Sequence, residues 1–247
     1  MREILVKSSV DGSVEPSLFY KASKADRPLL VGLHTWSFDR FNQQDNLLPM
    51  AKRLDFNLLL PEFRGPNLIG NPRAHEACAS HLALRDIKDA IDYVIENEGV
   101  DRENVFLLGL SGGGHAALMT CGYIPEYFKA VGAFVPICDL AAWCEENENY
   151  APHVKACCTT ADEMKKRSPI SHIDNIARAN VKIFHGKFDP VVPVRQSERL
   201  YLEIQKRHPK SRVFLDIFDG GHEIDLRAAE YWFMTQYKEK NVTRVTG

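Results

Sequence analysis

No stretch of this 247-residue chain stays apolar for the roughly 18 residues that a membrane span needs, and Met1 to Lys7 lacks the apolar core of a secretory leader. As written, the chain is expected to be cytoplasmic and to have no membrane partner. It also has no surplus of positive charge. The 31 Lys and Arg face 33 Asp and Glu, a formal net charge of -2, so a strong basic field for nucleic-acid phosphates is excluded. The six cysteines, Cys78, Cys121, Cys138, Cys144, Cys157 and Cys158, include no CxxC pair, which argues against a zinc ribbon or a thioredoxin-type centre. Free, mostly buried thiols are expected, with adjacent Cys157 and Cys158 able to form a vicinal disulfide or hold a soft metal. No glycine-rich phosphate loop follows an early strand, and neither HExxH nor a His/Cys ligand cluster occurs, so no cofactor and no metal are expected. Internal repeats and low-complexity runs are missing as well.

The chain has the composition of an ordinary globular protein, 45% hydrophobic and 26% charged, enough for one large core. A single domain over residues 1–247 is expected. Apolar segments rich in Leu and β-branched residues alternate with longer stretches of helical period, the pattern of a parallel sheet with crossover helices. Strands are expected at 2–7, 17–22, 28–33, 56–60, 105–108, 130–135, 181–185 and 212–217. Helices are expected at about 42–54, 74–98, 113–123, 194–207 and 223–239. Asp11-Gly12 favours a tight turn, so the first two strands should form an antiparallel hairpin at one edge. In the long helix, Leu82, Ile87, Ala90, Ile91 and Val94 make a core-facing stripe. The segment around 137–180 shows no clear period and is expected to be a small cap. The polar end, Lys238 to Gly247, is expected to fray.

Gly109-Leu110-Ser111-Gly112-Gly113 matches G-x-S-x-G and lies between a strand-like Val105 to Leu108 and a helix-like segment. That setting calls for a sharp turn that lifts a serine hydroxyl above the sheet, with small residues relieving the crowding around it. A serine nucleophile needs a base, and the base needs a carboxylate to hold its tautomer. Downstream, Asp189 follows the strand ending at His185, and His222 follows the strand ending at Ile217, both at carboxyl ends where parallel strands gather a site. The order Ser111, Asp189, His222 is that of the α/β-hydrolase fold, and the intervals leave room for the intervening strands and helices. The oxyanion donors are expected to be the N–H groups of Gly112 and Trp36, with Thr35 as the alternative to Trp36. His34 ends a strand upstream of the serine, and a structural role beneath that loop is expected for it. Arg64, Asn67 and Trp143 follow strands at the site face or lie in the cap, and are expected to contact substrate.

With these residues in view, the chain resembles the catalytic domain of the prolyl oligopeptidase family from Pro28 to His222. Phe63-Arg64-Gly65-Pro66-Asn67 with Gly70-Asn71 is similar to that family's Arg-Gly-Ser and Gly-Tyr-Gly segment. Asp86 with Asp89-Ala90 resembles its acidic helix, and His185-Gly186 to Pro193 resembles its His-Gly-x-x-Asp-x-x-Val-Pro segment. The chain departs from the family at the oxyanion loop, where His34-Thr35 replaces His-Gly, and after the serine, where three glycines replace an aromatic. It also has no room for an N-terminal propeller. The resemblance implies an α/β-hydrolase fold, a mostly parallel sheet flanked by helices on both faces, and a serine hydrolase. The favoured substrate is a small-acyl or carbohydrate ester. The alternatives are a peptidase acting on short peptides, for which Glu145, Glu146 and Glu148 would have to hold a free amino terminus, and a non-catalytic binding module.

Overall fold

The computed structural model describes residues 1–243, with side chains through Tyr237, so the expectation for Lys238 to Gly247 lies outside the described side chains. Eight strands form one sheet: β1 (Arg2–Lys7), β2 (Val14–Tyr20), β3 (Leu29–Leu33), β4 (Asn57–Pro61), β5 (Val105–Leu110), β6 (Ala130–Phe134), β7 (Asn180–Gly186) and β8 (Arg212–Phe218). Their order is β1-β2-β4-β3-β5-β6-β7-β8. β1 and β2 are antiparallel, β2 meets β4 antiparallel, and every pairing from β4 to β8 is parallel. The central strands β3, β4, β5 and β6 are buried at almost every position, as expected for strands covered on both faces.

Helices α1 (Gln44–Leu54) and α9 (Leu226–Thr243) cover one face through Leu47, Met50, Trp232 and Phe233. Helices α2 (His81–Glu98), α3 (Gly112–Tyr123) and α8 (Arg195–Arg207) cover the other through Ile87, Ile91, Leu118, Leu200 and Ile204. Between β6 and β7 the expected cap resolves into four short helices: α4 (Leu140–Glu146), α5 (Ala151–Cys157), α6 (Ala161–Lys166) and α7 (Ile173–Ile176).

Three expected boundaries shift, each for a local reason. β2 begins at Val14, not 17, because the turn closes through Ser8 N–H to Ser13 O at 2.7 Å and pairing starts directly after it. The expected helix 74–98 is a short 3₁₀ turn, Ala74–Glu76, followed by a break and then α2. In the break Cys78 and Ala79 both hold φ 50, and Ser80 caps α2 by accepting from Ala83 N–H at 3.1 Å. The last helix starts at Leu226 instead of 223, after the Asp225 carboxylate accepts the N–H groups of Arg227 and Ala228.

A buried ion cluster pins the hairpin to the parallel part of the sheet. Arg64, 1% exposed, donates to Asp86, to Asp11 at 2.7 Å, to Glu76 at 2.9 Å and to Ser8 Oγ at 3.2 Å. Arg73 adds bonds to Glu15 at 2.5 Å and Glu76 at 2.8 Å. Although burial opposes it, the hydrogen bonds that Arg64 donates to Asp11, Asp86 and Glu76 push its guanidinium further toward the cation. Asp86 thus sits on the buried stripe of α2 with its charge matched, while its neighbour Asp89 accepts from Ser9 N–H in the hairpin turn at 2.7 Å. Removing one member leaves a buried unpaired charge, so Asp86→Ala is expected to lower the unfolding free energy in urea by about 3–5 kcal/mol. A loss below about 1 kcal/mol, the size of a surface pair, contradicts this role for the cluster.

Candidate active site

Ser111 sits between β5 and α3 with φ 56 and ψ −117, a left-handed conformation that L residues avoid. Its N–H bonds to Phe134 O on β6 at 2.9 Å, and its carbonyl accepts His115 N–H at 2.8 Å. The crowding inferred from the sequence is real at Gly109, where a methyl group would lie 2.0 Å from Gly113 O. At Gly112 the same methyl would lie 2.4 Å from the Trp36 nitrogen, so the loop after β3 can approach the serine turn only because residue 112 has no side chain.

That approach brings together the backbone nitrogens of Gly112 and Trp36. Thr35 N–H is committed to Asn42 Oδ1 at 3.0 Å, which leaves the next donor along the loop, Trp36, on the side of Gly112. The loop is anchored from below by Asn67 N–H, which donates to Trp36 O at 2.8 Å, while Asn67 Oδ1 accepts Cys78 N–H at 2.7 Å.

Asp189 and His222 occupy the loops after β7 and β8, and hydrogen bonds stitch these loops together. Lys187 N–H donates to Phe218 O and Phe188 N–H to Gly220 O, each at 2.9 Å. Asp189 Oδ1 accepts Val191 N–H at 2.8 Å and Val192 N–H at 2.9 Å, and Oδ2 meets His222 Nδ1 at 2.7 Å. Burial alone would raise the Asp189 carboxyl, but the bonds from His222, Val192 and Val191 outweigh it and hold the group below the usual carboxylate range. An ionised carboxylate only accepts, so the proton on this contact belongs to His222 Nδ1 and the Nε2 lone pair of the neutral ring is left available.

Three other histidines near the site are committed elsewhere. His34, 2% exposed, stacks on Phe63 at 3.8 Å, with Nδ1 against Thr35 O at 3.0 Å and Nε2 facing Glu62 at 3.4 Å, beneath the loop that carries Trp36. His115 is fully buried on α3, where burial pushes it down to about 4, and its Nε2–H donates to Arg167 O at 2.7 Å. His185, buried at the end of β7, is kept neutral by its burial. Its Nε2–H donates to Val192 O at 2.8 Å, and its Nδ1 accepts from Ser197 at 2.7 Å, which braces the Asp189 loop from inside. Single-sequence reading placed His185 in a motif without a role; the signal was its position four residues before Asp189.

The three residues expected to contact substrate are internal. Arg64 has its donors filled by the ion cluster, and Asn67, 4% exposed, braces the loop that carries Trp36. Trp143, 1% exposed, packs edge-on against Trp36 at 5.0 Å and donates through Nε1 to Val191 O at 3.0 Å. It is a strut between the Trp36 loop and the Asp189 loop. Arg64 and Asn67 do follow β4 at the site end, but a position at a strand end says nothing about which way a side chain turns.

The sequence profile of the Prolyl oligopeptidase family matches residues 43–241. Acylamino-acid-releasing enzyme 2 of Oryza sativa subsp. japonica is 25% identical over 93% of this chain, and the chain spans 30% of that relative's length. Among solved structures, the acylaminoacyl peptidase of Pyrococcus horikoshii superposes with a TM-score of 0.74 at 19% identity, covering 96% of this chain and 40% of its own. An esterase of Pyrococcus furiosus superposes with a TM-score of 0.69 at 14% identity, covering 96% of this chain and 90% of its own. Among the described residues, no helix is long and apolar enough to cross a membrane.

A depressed carboxyl contributes stability that is complete above its unfolded value and is lost as the pH falls through its folded value. The stability gap between the wild type and Asp189→Asn, from urea unfolding, is therefore expected to shrink as the pH falls from about 5 toward 2. A gap as large at the acid end as at neutral pH contradicts the depressed carboxylate.

Proposed function

The chain belongs to the prolyl oligopeptidase family, and from that premise we propose a serine hydrolase that cleaves carboxylic esters with a small, uncharged acyl group through an acyl-enzyme. The observation that carries the reading is the His222 Nδ1 to Asp189 contact of 2.7 Å, in loops at the same carboxyl end of the parallel strands as Ser111, which sits in a strained strand-to-helix turn. Ser111 Oγ attacks the ester carbonyl as His222 Nε2 takes its proton, and Asp189 stabilises the imidazolium. The N–H groups of Gly112 and Trp36 bind the oxygen that becomes negative. His222 then returns the proton to the departing alcohol, and a water activated by the same nitrogen releases the acid.

Acidic side chains in the cap give little support to capture of a free amino terminus. Glu146 is already held by Arg195 Nε at 2.6 Å and Gln196 Nε2 at 2.7 Å, while Glu145 and Glu148 are exposed. An uncharged acyl group needs no such partner, and the similar fold of the P. furiosus esterase supports an ester. A second reading, release of an N-acylated amino acid, rests on the rice relative, whose name states that activity.

p-Nitrophenyl esters from acetate to octanoate, assayed beside free and N-acetylated aminoacyl p-nitroanilides, separate these readings. Short esters are expected to be the best substrates, and Ser111→Ala to lose about 10⁴-fold or more of the rate. Preference for N-acetylated anilides would select the second reading, and a rate unchanged in Ser111→Ala would overturn both. Gly112→Ala, which drives a methyl into Trp36 N, is expected to lower kcat by about 10²–10³-fold with the fold retained by circular dichroism. An unchanged kcat in that variant would remove Trp36 from the oxyanion site.

A further inference from the structure

The last strand of the sheet, β8, has a free outer side: among the described residues it pairs only with β7. The direction of its backbone groups follows from one hydrogen bond. Lys187 N–H, just past β7, donates to Phe218 O at 2.9 Å, so Phe218 turns its peptide groups toward β7. Alternation turns Asp216, Phe214 and Arg212 the same way, and leaves the N–H and C=O groups of Val213, Leu215 and Ile217 on the outer side. Gln205 Nε2 reaches Val213 O at 3.2 Å from α8 and takes one lone pair of one of these groups. Such a row is a template for a further strand unless Lys, Pro, a bulge or brevity blunts the edge.

β8 is not blunted. It is seven residues long, Arg212-Val213-Phe214-Leu215-Asp216-Ile217-Phe218, without Lys, Pro or Gly. Phe214 is 44% exposed and Ile217 42%. The opposite edge, β1, carries charges at Arg2, Glu3 and Lys7 instead. Phe214 lies on the α9 face, against Trp232 at 5.9 Å, while Val213 and Leu215 join the core on the α8 face. On the face of Phe214, half-exposed Asp216 pairs with Lys182 at 3.0 Å, and Arg212 donates to Gln236 at 2.8 Å.

These charges select what fits the edge. Antiparallel pairing with a second copy about a twofold axis opposes residues whose numbers add to a constant, and outward-facing groups must meet outward-facing groups. Registers centred on Phe214, Leu215 and Asp216 meet that condition. Centring on Asp216 opposes two carboxylates, and centring on Leu215 sets Phe214 against Asp216. Centring on Phe214 sets Arg212 against Asp216 on both sides of the axis, Phe214 against Phe214, and Val213 against Leu215 with both backbone bonds exchanged. Opposite charges and aromatic or β-branched neighbours are the favourable cross-strand pairs.

We propose that β8 is a docking edge for a second copy of this chain, paired antiparallel about a twofold axis at Phe214, so that one sheet runs through two molecules. The strand is its own complement, since its single acid and single base meet when it faces itself reversed. A strand from another protein would need an acid and a base at the same spacing. The proposal stands on the edge and does not depend on the function proposed above.

Size-exclusion chromatography with light scattering is expected to give the wild type twice the mass of one chain. Phe214→Glu, which opposes two carboxylates on the axis, is expected to halve that mass with circular dichroism unchanged. Cysteine trapping reads the register. Residues facing each other in a non-hydrogen-bonded antiparallel pair have Cα atoms about 4.5 Å apart, within disulfide range. Phe214→Cys is therefore expected to give a covalent dimer under mild oxidation that dithiothreitol reverses, while the wild type, Leu215→Cys and Tyr231→Cys, at an exposed control position, give little. A single-chain mass at the highest soluble concentration overturns the proposal and leaves the edge to another occupant. A dimer that persists in folded Phe214→Glu puts the interface elsewhere and overturns it as well. Preferential trapping of Leu215→Cys overturns the register. If Phe214→Glu does not fold, the trap still decides: cross-linking of Phe214→Cys no faster than that of Tyr231→Cys overturns the docking edge.

Discussion

Ser111 is held in a backbone conformation that a free chain would leave, and the geometry of the site is referred to that one peptide. Its φ of 56 and ψ of −117 carry strain of about 1–3 kcal/mol, which persists only where the surroundings over-determine it. Here Phe134 O fixes its N–H from β6, the first turn of α3 takes its carbonyl, and Gly109 and Gly112 admit neighbours that any side chain would exclude. β5 and α3 are buried almost throughout, so the turn cannot relax without disturbing the centre of the sheet. A hydroxyl presented in this way is set before any substrate arrives, which is the preorganisation that acyl transfer requires.

Around that peptide, the cap and the loops act as braces more than as a pocket lining. Trp143 spans from Trp36 to Val191 and so links the loop after β3 to the Asp189 loop through one rigid indole. Asn67 holds the Trp36 peptide from below, His185 holds the Asp189 loop from within, and Arg64 locks the hairpin to α2. Trp143 Nε1, both ring nitrogens of His185 and the Arg64 guanidinium have hydrogen-bond partners, as burial demands. The segments that resemble the prolyl oligopeptidase family are thus largely structural in this chain: the Arg64 and Asp86 segments meet in one ion cluster, and the His185 segment shapes the loop that carries Asp189.

The mostly parallel sheet, the N-terminal hairpin and the approximate helices were legible because burial on two faces writes long apolar strands, and amphipathic period writes helices. That Ser111, Asp189 and His222 lie in loops at the carboxyl end of the parallel strands could be anticipated because glycines and strand ends mark those loops. What could not be read was the direction of side chains. Arg64, Asn67 and Trp143 occupy the expected neighbourhood, but they turn inward, where charge matching, hydrogen bonding and aromatic packing hold them. The break at Cys78 was hidden because the helical period of α2 continues formally upstream, and only the Ser80 cap and the left-handed Cys78–Ala79 pair interrupt it. The gathering of Cys78, Cys157 and Cys158 in one buried cluster was invisible for a related reason: it depends on how the cap folds back over the loop after β4.

The most direct measurement is active-site labelling with a fluorophosphonate, followed by mass mapping of the adduct in the wild type and in His222→Ala. A serine activated by His222 predicts a single adduct on Ser111 that forms quickly in the wild type and is lost or greatly slowed in the variant. An adduct on another residue, or labelling of Ser111 at the same rate without His222, would contradict the assignment of the nucleophile and its base.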